Sequence, residues 1–344
     1  MRELRWLKEV IRTTMPTEKF PDKRKQLSSP FSSGGGGVNF ENQVQTLFVV
    51  LMLTGGAIPC LPPWPIKKIK LQGRNADYNT DDFITTTEEQ SSGRQSKLLA
   101  QIKHSVRFTD NDVTFGEVIQ AAWLDFKNSK LFDPSIDAIA LICGPLSAED
   151  IDVRTILEWA SHCETANEFV QNVNLAKFSS DAKRSKLKAF RAQLKKANGG
   201  VDISDDELWR FLRIFHVLGY DMDVSSGVTL SLLHSHIAQF SNNNASGLWG
   251  LVSKEVASFN QNAGTVTVDA LSEQIRIAFT QRVRKELIPD EFVQKPNADA
   301  LLTTKNYAEG DQANALAFAS LLGEWNEKLE GDREVIRKLI EGND

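Results

Sequence analysis

Cysteine is scarce in this chain: Cys60, Cys143 and Cys163 are the only three in 344 residues. An odd count with no CxxC or Cys/His spacing excludes a disulfide scaffold and a zinc module, and fits a reducing cytosol. Long apolar runs are also missing. The run Leu47 to Leu53 falls far below the roughly 20 residues that span a bilayer, and the N-terminal MRELRWLKEVIRTT lacks the apolar centre of a signal peptide. Together these point to a cytoplasmic protein without membrane spans. Basic charge is not in excess, with 40 Lys and Arg against 45 Asp and Glu. Nucleic-acid contact would therefore come from local basic patches rather than from a whole-molecule field. The glycines Gly34 to Gly37 lack the Lys-Ser/Thr pair and the preceding strand of a phosphate loop, there is no Walker motif, and no fixed-period repeat runs through the second half.

What is present is an ordinary globular composition, 41% hydrophobic and 25% charged, with length for two or three domains. Residues 1 to 14 predict a short helix, followed by a linker that ends at Gly37. Asn39 is a candidate N-cap for a helix to about Leu53, with Phe40, Val44, Leu47, Phe48 and Leu51 at helical spacing and Glu41 in the first turn. Strands are expected at 66 to 71, 81 to 87 and 97 to 105, the last two forming a hairpin. Alternation puts Leu99, Gln101 and Lys103 on one face of the third strand. A helix over 114 to 127 and a buried strand over 136 to 143 follow, so 38 to 146 reads as an α/β core of order αβββαβ.

From 147 to 287 the pattern predicts helices, among them 180 to 197 and one opened by the Ser204/Glu207 capping-box signature and carrying Leu208, Phe211, Leu212 and Phe215. A Pro-containing connection and a last helical pair fill 288 to 344. The C-terminal half is thus expected to be all-helical.

Cleaving a phosphodiester requires charge neutralisation at the phosphate and an activated water, which acidic side chains holding Mg2+ can supply. Asp82 at the head of one hairpin strand and Lys103 on its partner are placed to converge, with Glu41 reaching in from the preceding helix. Asp81 competes with Asp82, because neighbouring strand residues face opposite ways. Lys67, Lys68, Lys70, Arg74, His104 and Arg107 are candidates for a groove along the phosphate backbone, giving salt-dependent and largely sequence-independent binding. The basic helix from Lys183 to Lys196 is a second candidate DNA surface, although an amphipathic helix normally carries charge on its wet side and that reading is favoured. His234 and His236, two apart, make a poor metal pair.

This order of elements, with Phe40-Glu41, Asp81-Asp82 and Gln101-Ile102-Lys103, resembles the PD-(D/E)xK nuclease superfamily. The Gln variant and the start Gly37, Phe40, Glu41 resemble its Mrr-like branch. The stretches GGGGVNFENQV, TDDFI, QIKHS, AAWLDF and DDELWRFLRIFHVLGYD are similar to effector nucleases of bacterial antiviral defence, including CBASS-associated DNA endonucleases and the N-terminal nucleases of Avs-type STAND ATPases. The resemblance implies a restriction-endonuclease-like core and a double-stranded DNA substrate. Mg2+ or Mn2+ would be held by Asp82, Glu41 and Gln101, with Lys103 orienting the phosphate or water. Gln101 stands where an acidic residue is more usual. The resemblance further implies activation by oligomerisation, with a sensor or NTPase either in cis beyond Asp344 or in a separate subunit. The alternative is a decayed nuclease fold that binds DNA or a protein partner, with Gln101 marking lost metal binding.

Overall fold

The computed structural model describes residues 35 to 280 except 176, 225 to 226 and 241 to 243. The helix expected over 1 to 14 and the helical pair expected beyond 288 lie outside the described residues. All those described belong to one compact unit, Met1–Val283. They form an α/β structure, about half helical, with nine α-helices and a mixed six-stranded sheet. None of the described helices is long and apolar enough to cross a membrane.

The first helix, α1 (Gly35–Thr54), is buried on nearly every side. It begins four residues before the expected cap at Asn39, so part of the expected glycine linker is helical. Tertiary burial of an apolar helix outweighs the local cost of glycine in its first turn. Next come β1 (Ile66–Leu71), β2 (Phe83–Glu88) and β3 (Gln95–Ile102), an antiparallel meander. A register shift between Ile66 and Lys68 lets Lys67 and Lys68 both face solvent, which explains the imperfect alternation of IKKIKL. Helix α2 (Val113–Phe126), capped by Asp112, carries the chain over to β4 (Ala138–Cys143), which lies parallel to β3.

Four helices follow: α3 (Ala148–His162), α4 (Ala166–Asn174), α5 (Asp181–Ala197) and α6 (Asp205–Ile214). The Ser204/Glu207 signature forms a capping box as its spacing predicts. The rest of the second half corrects the all-helical expectation. Residues Phe215–Gly219 are strand β5, parallel to β4, and Thr265–Val266 are β6, antiparallel to β1. Between and after them lie α7 (Val228–Ile237), α8 (Ala245–Gln261) and α9 (Glu273–Thr280). The segment FHVLG continues the apolar stripe of α6 without a break, so periodicity alone could not separate a short buried strand from the end of a helix.

The sheet order is β5-β4-β3-β2-β1-β6, with β3 and β2 at its centre. One face, with Ile84, Leu99, Ile139 and Leu141, packs against α2 to α6; the other, with Phe83, Leu98, Ala100 and Ile102, packs against α1 and α7 to α9. Helix α1 is thus enclosed between the sheet and α8.

Candidate active site

The loop between β1 and β2 delivers the acidic pair. Both its ends are closed on themselves: the Gln72 N–H donates to the Asp82 carbonyl at 3.1 Å and the Gly73 N–H donates to the Asp81 carbonyl. Gln72 and Asp77 adopt left-handed conformations (φ 56 and 66) at the ends of the 3-10 turn Gly73–Ala76, a conformation that non-glycine residues adopt only where surrounding bonds fix it. A side chain at Gly73 would overlap the Thr80 carbonyl oxygen. Gly73→Ala is therefore expected to destabilise the fold by about 1–3 kcal/mol, seen as a lower urea midpoint. An unchanged midpoint would show the loop to be slack. From α2, the fully buried Asp125 carboxylate accepts the N–H groups of Asn79 (2.8 Å) and Thr80 (2.7 Å) and the Asn79 amide (2.9 Å).

Because this loop claims both carbonyls, Asp81 and Asp82 stand just before β2 rather than within it. The Asp82 carboxylate takes the N–H of Ile102 in place of a strand carbonyl, fixing it to the backbone between Gln101 and Lys103. Burial pushes the Asp82 carboxyl up to about 7, and the nearby Glu41 and Asp81 carboxylates push the same way. The Ile102 N–H and the Lys103 ammonium oppose them. Glu41, half-buried on α1, accepts from Gln45 at 3.0 Å and Asn260 at 3.1 Å, both through Oε1. Gln45 also reaches the Asp82 carbonyl at 3.5 Å.

A cavity of about 430 Å³ opens on the α2 face, lined by Arg74, Tyr78, Asp81, Gln101, Lys103 and Glu117 among others. Gln101 is only 9% exposed and, among the described residues, its amide makes no hydrogen bond. The structure therefore brings Asp81, Gln101, Lys103 and Arg74 to one cavity, with Arg74 paired to Asp81 at 3.3 Å. Glu41 lies on the α1 side and does not line this cavity; Asp82, at the strand end, is within electrostatic reach of both Glu41 and Lys103.

The candidate DNA-contact residues divide. Lys68 and Arg107 are exposed and unpaired among the described residues. The Lys70 ammonium is instead engaged by the Ala263 carbonyl at 2.5 Å, and His104 Nε2 lies 3.0 Å from the Asp223 carboxylate. On the basic helix α5, Lys183, Arg184, Lys186, Arg191 and Lys195 each meet a carboxylate, so most of its charge is spent within the fold.

The donors present fit a small hard cation, since Mg2+ is commonly held by one or two carboxylates with water completing the shell. Glu41 Oε2 and the Gln101 amide oxygen are free of protein hydrogen bonds among the described residues, and Asp82 is driven towards protonation first by burial and then by its carboxylate neighbours, whose repulsion a cation relieves. Among the described residues no group of three His, Cys, Asp or Glu is placed to hold a metal, so the set amounts to two carboxylates and an amide. Sequence reasoning missed Asp125, Gln45, Glu117 and Asn260. Asp125, Glu117 and Asn260 carry no local mark, because they act across 45 residues or more or by facing a cavity that only the fold creates; Gln45 carries one, its i,i+4 spacing from Glu41 on one helix. No protein family, curated protein or solved structure matches this chain.

Proposed function

We propose that this protein is a metal-dependent endonuclease built on a restriction-endonuclease-like core. The observation that carries the reading is the fastening of Asp82 to the β3 backbone between Gln101 and Lys103, with Glu41 close enough to raise its carboxyl and Lys103 close enough to lower it. On this reading Asp82 is the residue through which Glu41, on the α1 side, and Gln101 and Lys103, at the cavity, would act on one phosphate.

In this reading Asp82 and Glu41 hold Mg2+ or Mn2+, with Gln101 as a neutral third donor. The bound ion supplies charge neutralisation and an activated water. Lys103, free of ion pairs among the described residues, faces the cavity and offers its ammonium to a phosphate oxygen. Arg74 and Asp81 form a paired rim, and Lys68 and Arg107 remain available to the phosphate backbone of double-stranded DNA. The likeness to antiviral effectors extends the proposal to a homo-oligomeric nuclease released by a sensor, in cis or as a separate subunit.

The test is cleavage of plasmid DNA with Mg2+ or Mn2+ by the wild type and by Asp82→Ala, Lys103→Ala and Asp81→Ala. Asp82→Ala and Lys103→Ala should each cost roughly a hundred- to a thousand-fold, and Asp81→Ala about ten-fold or less. Cleavage undiminished in the first two would sink the assignment. A reversed order between Asp81 and Asp82 would move the ligand to the cavity carboxylate. Tight DNA binding without cleavage under any metal would favour the second reading, a decayed core, for which Gln101 in place of a carboxylate is the supporting observation.

A further inference from the structure

Resting on that reading, we propose that Asn260 is a positioning residue for Glu41, so that helix α8, contributed from far beyond the αβββαβ segment, completes the metal site. Asn260 lies 219 positions from Glu41 and donates its amide to Glu41 Oε1 at 3.1 Å. Its own oxygen accepts from Gln72 at 2.8 Å, and from Gln45 at 3.4 Å. One amide therefore ties the α1 carboxylate to the loop that closes on the Asp82 carbonyl. With Oε1 occupied by Gln45 and Asn260, Oε2 is the oxygen left for a cation. Outer partners of this kind orient ligating carboxylates, and their loss typically costs ten- to a hundred-fold in metal affinity.

The delivery is rigid. Just beyond Asn260 the chain turns through left-handed Ala263 (φ 48), whose carbonyl receives the Lys70 ammonium at 2.5 Å. The Gly264 carbonyl receives the Leu71 N–H at 3.0 Å, and β6 then pairs with β1. A side chain at Gly264 would press on the Phe259 ring at 2.7 Å. Further up the helix, Asn42 donates to the Ser253 hydroxyl at 2.7 Å, so α8 is bonded to α1 at two levels, on the same side as Glu41. Seating α8 against α1 sets the Glu41 carboxylate, and anything that shifts α8 reaches the metal site directly.

The experiment measures Mg2+ binding to the full chain by titration calorimetry without DNA, beside plasmid cleavage and thermal melts. Asn260→Ala should weaken Mg2+ binding about ten- to a hundred-fold, with cleavage falling in parallel. Asn260→Leu keeps the γ-branched heavy-atom outline but not the amide, and should lose Mg2+ to the same extent, whereas a residue that merely packs would be restored by leucine. Adding Asn260→Ala to Glu41→Ala should cost little beyond Glu41→Ala alone, because the two act through one interaction. Wild-type affinity in Asn260→Ala, rescue by leucine, or full additivity with Glu41→Ala would each overturn the proposal while leaving the nuclease reading intact. A wild type that binds no Mg2+ would defeat both together.

Discussion

Replacing Asp82 with asparagine should make the protein more stable at alkaline pH while removing the proposed cleavage activity. Asp82 is 8% exposed, and burial lifts its carboxyl from an ordinary 3.8 to about 7 in the folded chain. The native state therefore holds this proton more tightly than the unfolded one. Its contribution to stability is fully present below about pH 4 and is lost as the pH rises through 7. At about 1.4 kcal/mol per pH unit the loss approaches roughly 4 kcal/mol by pH 8.5, an upper figure because water and relaxation screen part of it. Asparagine keeps an oxygen for the Ile102 N–H and carries no charge to desolvate. Asp82→Asn should melt about 5–10 °C above the wild type at pH 8.5, with the gap closing towards pH 4. Saturating Mg2+ should narrow the gap from the other side, because the ion stabilises only a folded site that can bind it. Wild-type cleavage at limiting Mg2+ should rise with pH through about 7, as the metal displaces the proton. A variant less stable than the wild type at pH 8.5, or a gap that ignores pH, would contradict the buried-carboxylate account.

Glu41, Asp82, Gln101 and Lys103 stand out as candidates in the sequence because each sits on or next to an element with a clear period: the apolar stripe of α1, the β-branched FITTT and the alternating KLLAQI. Strand alternation correctly puts Gln101 with Leu99 on the α2 face. The choice between Asp81 and Asp82 was unreadable for a physical reason. Alternation applies within a strand, and these two residues precede it, with orientations set by bonds to Gln72, Gly73 and Ile102. Strand β5 escaped because it follows directly on helical sequence with no turn signal between them, and β6, although set off by the turn Asn262-Ala263-Gly264, because two residues are too few to show a strand period. Lys70 read as a free cation because a sequence shows charge but not the carbonyl, 193 residues on, that engages it. Local pattern specifies elements; which side chains are spent inside the fold depends on contacts that no local pattern carries.

Loss of Asp125 should damage stability and the proposed activity together, although it touches neither the cavity nor a proposed metal ligand. Its carboxylate is fully buried and receives three N–H donors, two of them from the backbone of Asn79 and Thr80. Charge-assisted bonds of this type are roughly twice as strong as neutral ones, and removing the acceptor strands buried donors at about 1–3 kcal/mol each. Asp125→Ala should therefore cost about 3–5 kcal/mol, among the larger effects of a single substitution. Asn79 and Thr80 lead directly into Asp81 and Asp82, so the same change frees the acidic pair from α2. A displacement of about 1 Å at a catalytic group is enough for a hundred-fold loss of rate. Asp125→Asn, which keeps one acceptor oxygen but turns an amide towards a donor, should fall between the alanine variant and the wild type on both measures. Urea unfolding and plasmid cleavage on the same preparations read the two effects. An alanine variant within 1 kcal/mol of the wild type would show that the loop holds its shape through the Gln72 and Gly73 bonds alone.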